Sequence, residues 1–159
     1  MASPTERLRS LRPTTILCVD DEPNVLELYG TLLESKGYKV LTAPDGPTGI
    51  ALARKHAVDA VVLDFNLPGM DGNQVAQVLR KEQPNLPVVI WTGCPDETPE
   101  SLRWFADVLL HKGDGPLALL LAIEKILKDS GTRNKPSRLL QRALQTQTRY
   151  KCNNRCLPH

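Results

Sequence analysis

Acidic, hydroxyl and amino side chains recur in this 159-residue sequence at the ends of short apolar runs. Asp20 and Asp21 follow the first of these runs, and Asp64 ends the third. Thr92 ends the fourth run, and Lys112 follows the fifth. Alone, Asp20 and Asp21 could cap a helix and Asp64 could begin a turn, and Thr92 and Lys112 individually indicate almost nothing. Their joint placement at the ends of four runs indicates a shared chemical site.

These residue types suit the transfer of a phosphoryl group. Carboxylates that lie close together repel one another unless a cation lies between them, and Mg²⁺ typically takes one or two carboxylates together with waters and phosphate oxygens. Asp64 can attack a phosphoryl group as a carboxylate nucleophile and form an acyl phosphate. Thr92 can offer its hydroxyl to a phosphoryl oxygen, and Lys112 can neutralise the added charge.

The elements that must position these residues are strands and helices that alternate along the chain. Apolar runs typical of strands buried on both faces of a parallel sheet lie at Thr15–Val19, Lys39–Thr42, Ala60–Leu63, Pro87–Trp91 and Ala106–Leu110. Amphipathic helices are predicted around Val25–Leu33, Ile50–Lys55, Gln74–Glu82 and Leu117–Leu127, with start signals at Pro23, Pro47, Asp71 and Asp114. Between the last two strands, Pro95 and Pro99 allow only a short helix that begins near Pro99 or Glu100.

This alternation predicts right-handed βαβ units in an α/β fold with a doubly wound, five-stranded parallel sheet flanked by helices. In such an open sheet, ligands bind beyond the carboxyl ends of the strands, where the strand order reverses. We therefore expect the residues after strands one, three, four and five to meet at one edge.

Three segments resemble the receiver domain of two-component response regulators. Val61–Gly72 (VVLDFNLPGMDG) is similar to the family's phosphorylation-site segment, Leu17–Glu22 (LCVDDE) to its acidic pocket, and Val89–Gly93 (VIWTG) to its signalling-threonine segment. The similarity covers about residues 14–130. It implies a flavodoxin-like, chemotaxis-receiver-like fold with strand order 2-1-3-4-5.

The resemblance also implies a role for each residue. Asp64 would be the phospho-acceptor, and Mg²⁺ would be held by Asp20, Asp21, Asp64 and the main-chain carbonyl of Asn66. Thr92 and Lys112 would bind the phosphoryl group, and Gly93 would keep its approach open. The donor would be a phosphohistidine on a sensor histidine kinase or a histidine phosphotransfer protein. The protein would catalyse only its own phosphorylation and dephosphorylation, and would not otherwise be an enzyme.

Two positions depart from the family pattern. A proline, often with a cis bond, usually follows the lysine, whereas Gly113 follows Lys112 here. The aromatic residue commonly found three positions before that lysine is replaced by Leu109. The set of residues needed for phosphorylation is complete. We expect the step that transmits phosphorylation to the surface to differ from the family's usual coupling of the threonine to an aromatic side chain.

Charge divides the chain into three parts. Residues 14–130, the expected receiver domain, hold 10 Lys/Arg and 17 Asp/Glu, a formal charge of −7. Residues 131–159 hold 7 Lys/Arg and no acid, and we expect them to form a basic, partly disordered tail. Residues 1–13 form an N-terminal extension without an apolar stretch. No apolar run approaches the roughly 20 residues of a membrane span, so we expect a cytoplasmic protein.

The leading hypothesis is a stand-alone receiver that signals to a downstream protein through a change in its surface. The second is a DNA-binding regulator that uses the basic tail, but the tail has one aromatic residue, Tyr150, and is too short for a helix-turn-helix motif, so we do not expect nucleic acid as a partner. The third is a pseudo-receiver that docks partners without phosphorylation, and the complete set of site residues argues against it. The resemblance leaves open whether the protein forms a homodimer.

Four other side chains have simpler expected roles. We expect Trp91 and Trp104 to be core or partly buried packing residues. We expect His56 and His111 to be structural or exposed, without an evident partner.

Overall fold

The computed structural model of this protein describes residues 11–131 together with Pro4. The basic tail beyond residue 131 and most of the N-terminal extension lie outside the described residues. Within the described part, no helix is both long and apolar enough to cross a membrane.

Five parallel strands form one sheet in the order β2-β1-β3-β4-β5. The strands are β1 (Thr15–Val19), β2 (Lys39–Ala43), β3 (Ala60–Leu63), β4 (Val88–Thr92) and β5 (Val108–His111). This confirms the predicted fold class and strand order. The three central strands are wholly buried, but β2 and β5 are only partly buried, because a strand at a sheet edge has a neighbour on one side only. The prediction that every strand is buried on both faces is therefore wrong for the two edges.

Within residues 11–131, four α-helices connect or follow the strands: α1 (Pro23–Glu34), α2 (Gly46–Lys55), α3 (Gly72–Glu82) and α4 (Pro116–Gly131). Asp71 caps α3 as predicted, since its side chain accepts a hydrogen bond from the Gln74 N–H in a reciprocal capping box. Asp45, which the sequence analysis missed, caps α2 by accepting from the Thr48 N–H. Asp114 is not the start of α4. It lies in a separate 3-10 turn, Lys112–Asp114, and the helix begins at Pro116.

Between β4 and β5 the chain forms two 3-10 helices, Pro95–Glu97 and Glu100–Trp104. The second helix follows Pro99 directly, as predicted. Its buried residue is Leu102, whereas Trp104 at its end is 68% exposed. The expectation of a core or partly buried position is thus wrong for Trp104, because a single 3-10 turn presents only one side to the sheet.

Strands β4 and β5 begin later than predicted, and each extends one residue further. Asp107 holds the chain before β5 in place, because its carboxylate accepts hydrogen bonds from the Val88 N–H and from the Arg80 guanidinium. The shift makes Thr92 and His111 the last paired residues of these neighbouring strands. His111 therefore lies beside Thr92 at the carboxyl ends of the strands.

Side chains alternate across the sheet and build two apolar layers. Helices α2 and α3, with Leu102, cover one face, where the buried side chains include Leu17, Val19, Val61, Leu63 and Ile90. Helices α1 and α4 cover the other face, where they include Ile16, Cys18, Val62, Val89 and Trp91. The helices pack on the two faces of the sheet, and the polar residues of the site lie at the carboxyl ends of its strands.

Candidate functional site

Two buried carboxylates lie side by side where β1 and β3 end. The strands are neighbours in register, with Val19 opposite Leu63, so the next residues, Asp20 and Asp64, come together. Asp20 is 2% exposed and Asp64 is 4% exposed. One carboxylate oxygen from each of Asp20, Asp21 and Asp64 lies within 4.8 Å of the others. The structure thus brings the three predicted acidic residues into one cluster, with Asp21 on its exposed side.

Lys112 reaches this cluster from the end of β5. Its Nζ donates to Asp20 Oδ2 at 2.9 Å and to Asp64 Oδ2 at 3.2 Å. It also lies 3.7 Å from Glu22 Oε1 at the exposed rim. One ammonium group cannot neutralise three carboxylates, so the cluster keeps an excess of negative charge.

The electrostatics of Asp64 and Lys112 follow from this crowding. Burial raises the pKa of Asp64, and the charges of Lys112 and Asp20 act in opposite directions on it, so that the pKa stays above its usual value. Burial alone would lower the pKa of Lys112. The hydrogen bond to Asp20 and the negative charges of Asp64 and Asp20 outweigh it and raise that pKa. Lys112 therefore stays charged, and the ionisation of Asp64 costs more free energy than that of an ordinary exposed carboxyl group.

The backbone after Asp64 is fixed by close packing. Asn66 donates its N–H to Asp64 Oδ1 at 3.3 Å, and Gly72 donates its N–H to the Phe65 carbonyl at 2.8 Å. A Cβ at position 72 would lie 2.5 Å from the Asp64 carbonyl oxygen and 2.7 Å from Phe65 Cα. Only glycine at position 72 lets the start of α3 approach the acceptor loop this closely. This role of Gly72 was not predicted, although the Asp71-Gly72 pair is a signal for it in the sequence.

Thr92 is fully buried at the end of β4, the strand next to β3, and its Oγ1 accepts from the Cys94 N–H at 3.3 Å. Apart from its chain neighbours, no described atom lies within 4 Å of the position that a Cβ of Gly93 would occupy, so the space beside Gly93 is open. Trp91 points to the opposite face, where its ring meets Tyr29 edge-on at a centroid distance of 5.9 Å. The predicted burial of Trp91 is confirmed.

His111 has two partners, so the expectation that it has none is wrong. Its Nε2 lies 2.7 Å from the Gly93 carbonyl oxygen, and its Nδ1 accepts from the Gly113 N–H at 2.9 Å. These contacts could not be predicted from the sequence, because they depend on β5 reaching His111 and on the absence of a side chain at position 113.

The donor set fits a hard divalent cation. Mg²⁺ prefers oxygen ligands and accepts one or two carboxylates with waters. Two buried carboxylates and an exposed one within 4.8 Å supply such oxygens, and the excess negative charge favours a cation. Asn66 is held beside Asp64 through its own N–H, which places its backbone next to the cluster.

A parallel sheet of order 2-1-3-4-5 with an acidic cluster at its carboxyl edge defines a receiver-type, flavodoxin-like protein. Residues 16–124 match the sequence model of the response regulator receiver domain, and the chain belongs to this family of two-component systems.

Similarity to individual proteins agrees with this membership. The chain is 41% identical over 124 residues to the transcriptional regulatory protein GlrR of Escherichia coli (strain K12), a match that covers 76% of this chain and 28% of GlrR. The crystal structure of a CheY-like receiver domain protein from Methanospirillum hungatei JF-1 gives a TM-score of 0.71 at 25% identity and covers 77% of this chain and 100% of that one. The chain spans about half or less of the length of the curated relatives it matches.

The response regulator TrrA of Thermotoga maritima was crystallised in complex with Mg²⁺-BeF. That structure gives a TM-score of 0.68 at 30% identity, with 71% of this chain and 98% of the TrrA chain covered. TrrA was also crystallised in complex with the histidine kinase ThkA.

Proposed function

We propose that this protein accepts a phosphoryl group on Asp64 from a phosphohistidine, carried by a sensor histidine kinase or a histidine phosphotransfer protein. The observation that carries the proposal is the contact of Lys112 Nζ with both Asp20 and Asp64. A lysine from β5 that meets the carboxylates of β1 and β3 assembles a nucleophile and a charge-neutralising group at one point. The complex of TrrA with the kinase ThkA supports a kinase as donor.

The chain's own groups suit each part of the transfer. The ionised Asp64 carboxylate attacks phosphorus and forms the acyl–phosphate bond. The phosphorus–nitrogen bond of the phosphohistidine breaks, and the leaving imidazole takes up a proton. The Lys112 ammonium offsets the negative charge that the phosphoryl group brings. Because these groups are already positioned, catalysis consists of alignment and charge neutralisation, and the protein acts only on itself.

The acidic cluster would hold Mg²⁺ through Asp20, Asp21, Asp64 and the main-chain carbonyl of Asn66. When bound, the cation supplies additional positive charge for the phosphoryl oxygens. The crystallisation of TrrA with Mg²⁺-BeF supports this assignment. The exposed position of Asp21 leaves the solvent side of the cluster open to the donor.

Thr92 is the candidate for sensing the phosphoryl group. Its hydroxyl oxygen now accepts from the Cys94 N–H, which leaves the hydroxyl proton available for a phosphoryl oxygen. A turn of this hydroxyl toward Asp64 would break the contact with Cys94 and change the loop after β4. We propose this loop and the neighbouring 3-10 helices as the surface that a downstream protein reads in the cytoplasm.

The test is labelling of the purified chain with a radioactive small phosphoramidate, with and without Mg²⁺. We expect Mg²⁺-dependent labelling of the wild type, none in Asp64→Asn, and wild-type labelling in the matched control Asp71→Asn, since asparagine also caps a helix. Equal labelling of Asp64→Asn and the wild type would refute the acceptor assignment. A wild type that takes no label with Mg²⁺ would favour the pseudo-receiver hypothesis.

A further inference from the structure

His111 connects the two loops that flank the acidic cluster. It is the last residue of β5, pairs with Thr92 of β4, and directly precedes Lys112. Its ring contacts the Gly93 carbonyl at 2.7 Å on one side and the Gly113 N–H at 2.9 Å on the other. A single imidazole thus joins the backbone after Thr92 to the backbone after Lys112.

The two contacts define the protonation state of the ring. A carbonyl oxygen can only accept, so Nε2 must carry the proton that it donates to Gly93. A backbone N–H can only donate, so Nδ1 must be an unprotonated acceptor. The ring is therefore neutral in this arrangement. A second proton, on Nδ1, would remove the acceptor for the Gly113 N–H.

The glycine at position 113 makes room for the ring. A Cβ there would lie 2.5 Å from His111 Nδ1 and 2.6 Å from Cε1. The His111 backbone N–H also donates to Asp114 Oδ2 at 3.2 Å, so the turn is closed from both directions. Lys112 lies between His111, which carries the ring, and Gly113, whose N–H the ring accepts.

We propose that neutral His111 is a positioning residue that holds the Lys112 ammonium against Asp20 and Asp64 and ties the loop after Thr92 to it. Protonation of Nδ1 releases Gly113 and leaves the Nε2 contact with Gly93, whereas removal of the ring releases both loops. The part of this inference that concerns phosphorylation rests on the proposed function. The part that concerns the position of Lys112 does not.

Charged residues lie on several of the elements around the ring. Asp114 lies in the turn after β5, and Asp96 and Glu97 lie in the 3-10 helix that packs on β5. Lys112 is the neighbouring cation, and its ammonium is held by the acidic cluster. On α4, residues 116–123 carry no titratable group.

Two conservative substitutions each remove one of the two ring contacts and keep the other. In His111→Asn the amide oxygen takes the place of Nδ1 and can accept from Gly113, but the side chain is too short to reach Gly93. In His111→Gln the amide nitrogen takes the place of Nε2 and can donate to Gly93, but the acceptor for Gly113 is lost. Gly113→Ala keeps the histidine and displaces its ring.

The first measurement is ¹⁵N NMR of the full chain, without a phosphodonor, from about pH 8 to about pH 5, where imidazoles gain their second proton. We expect the Gly113 amide and the Lys112 side-chain resonances to shift together with the His111 ring nitrogens in the wild type. We expect no such joint transition in His111→Asn. A ring that titrates while the Gly113 and Lys112 resonances stay fixed would overturn the proposal.

The second measurement is the labelling rate over the same pH range. We expect His111→Asn and His111→Gln to label several-fold more slowly than the wild type near neutral pH, and Gly113→Ala about as slowly. Folded variants with the wild-type rate and pH profile would contradict the inference. If the wild type takes no label at all, the proposed function fails, and the NMR titration still decides the role of His111.

Discussion

The ammonium nitrogen of Lys112 lies 3.2 Å from Asp64 Oδ2, although 48 residues separate the two in the chain. The same nitrogen lies 2.9 Å from Asp20 Oδ2. Both carboxylates are almost completely buried, so water cannot compensate their charges. The stability of this edge of the sheet therefore depends on a cation at the position of the Lys112 ammonium or close to it.

Replacement of Lys112 by methionine should destabilise the protein, because it keeps the apolar stem and leaves two buried carboxylates without their cation. Breaking a fully buried pair costs roughly 3–5 kcal/mol. Lys112 is 22% exposed, so we expect about 1–3 kcal/mol near neutral pH. The loss should be smaller at about pH 5, because the pKa of Asp64 is raised and its charge diminishes as the pH falls.

Urea unfolding followed by circular dichroism at both pH values measures this effect. Lys125→Met, at an exposed position of α4, is the matched control and should change the free energy of unfolding little. A Lys112→Met protein as stable as this control would show that the carboxylates need no compensation from Lys112.

Replacement of Asp64 by asparagine should stabilise the metal-free protein. Burial raises the pKa of Asp64, so its ionisation costs folding free energy above that pKa, and the cost is relieved as the pH falls through it. The gain of Asp64→Asn should therefore be largest near neutral pH, on the order of 1 kcal/mol, and should vanish in acid. Thermal unfolding in the presence of a chelator measures it. A variant less stable than the wild type at neutral pH would contradict the assignment of Asp64 as the costly charge.

Mg²⁺ should raise the unfolding temperature of the wild type, since a ligand that binds only the folded state stabilises it by mass action. At a free concentration one hundred times the dissociation constant, the expected gain is about 2.7 kcal/mol. Asp20→Asn should lose most of this gain, because it removes a buried carboxylate from the cluster. Asp45→Asn, which preserves the helix cap outside the cluster, should respond like the wild type. Differential scanning calorimetry with and without Mg²⁺ checks the difference, and an equal shift in all three proteins would argue against the site.

Replacement of Gly72 by alanine should destabilise the fold and slow labelling, because the new Cβ would overlap the Asp64 carbonyl oxygen and Phe65 Cα. Both clashes involve backbone, so we expect a loss of roughly 1–3 kcal/mol. Gly30→Ala is the matched control: no atom lies within 4 Å of its Cβ, and alanine favours the interior of α1 by about 1 kcal/mol. Chemical denaturation should therefore give opposite signs for the two substitutions. The same sign in both would mean that the acceptor loop can move away from α3.

The sheet, its strand order through the family resemblance, and the polar residues that follow the strands could all be predicted from the sequence. Continuous apolar runs and helical periodicity are local signals, and parallel strands necessarily place their carboxyl ends at one edge. The position of Asp20 beside Asp64 follows from that geometry once β1 and β3 are neighbours. The acidic cluster was therefore predictable.

Contacts that depend on exact positions became visible only in the folded domain. The role of His111 required β5 to extend to that residue, the Gly93 carbonyl to lie within 2.7 Å, and position 113 to lack a side chain. Likewise, the closeness of Gly72 to Asp64 arises from the packing of α3 against a loop. Local sequence patterns record which face of an element is apolar. Contacts between loops depend on how the elements come together, and that is set by the packing of the whole domain.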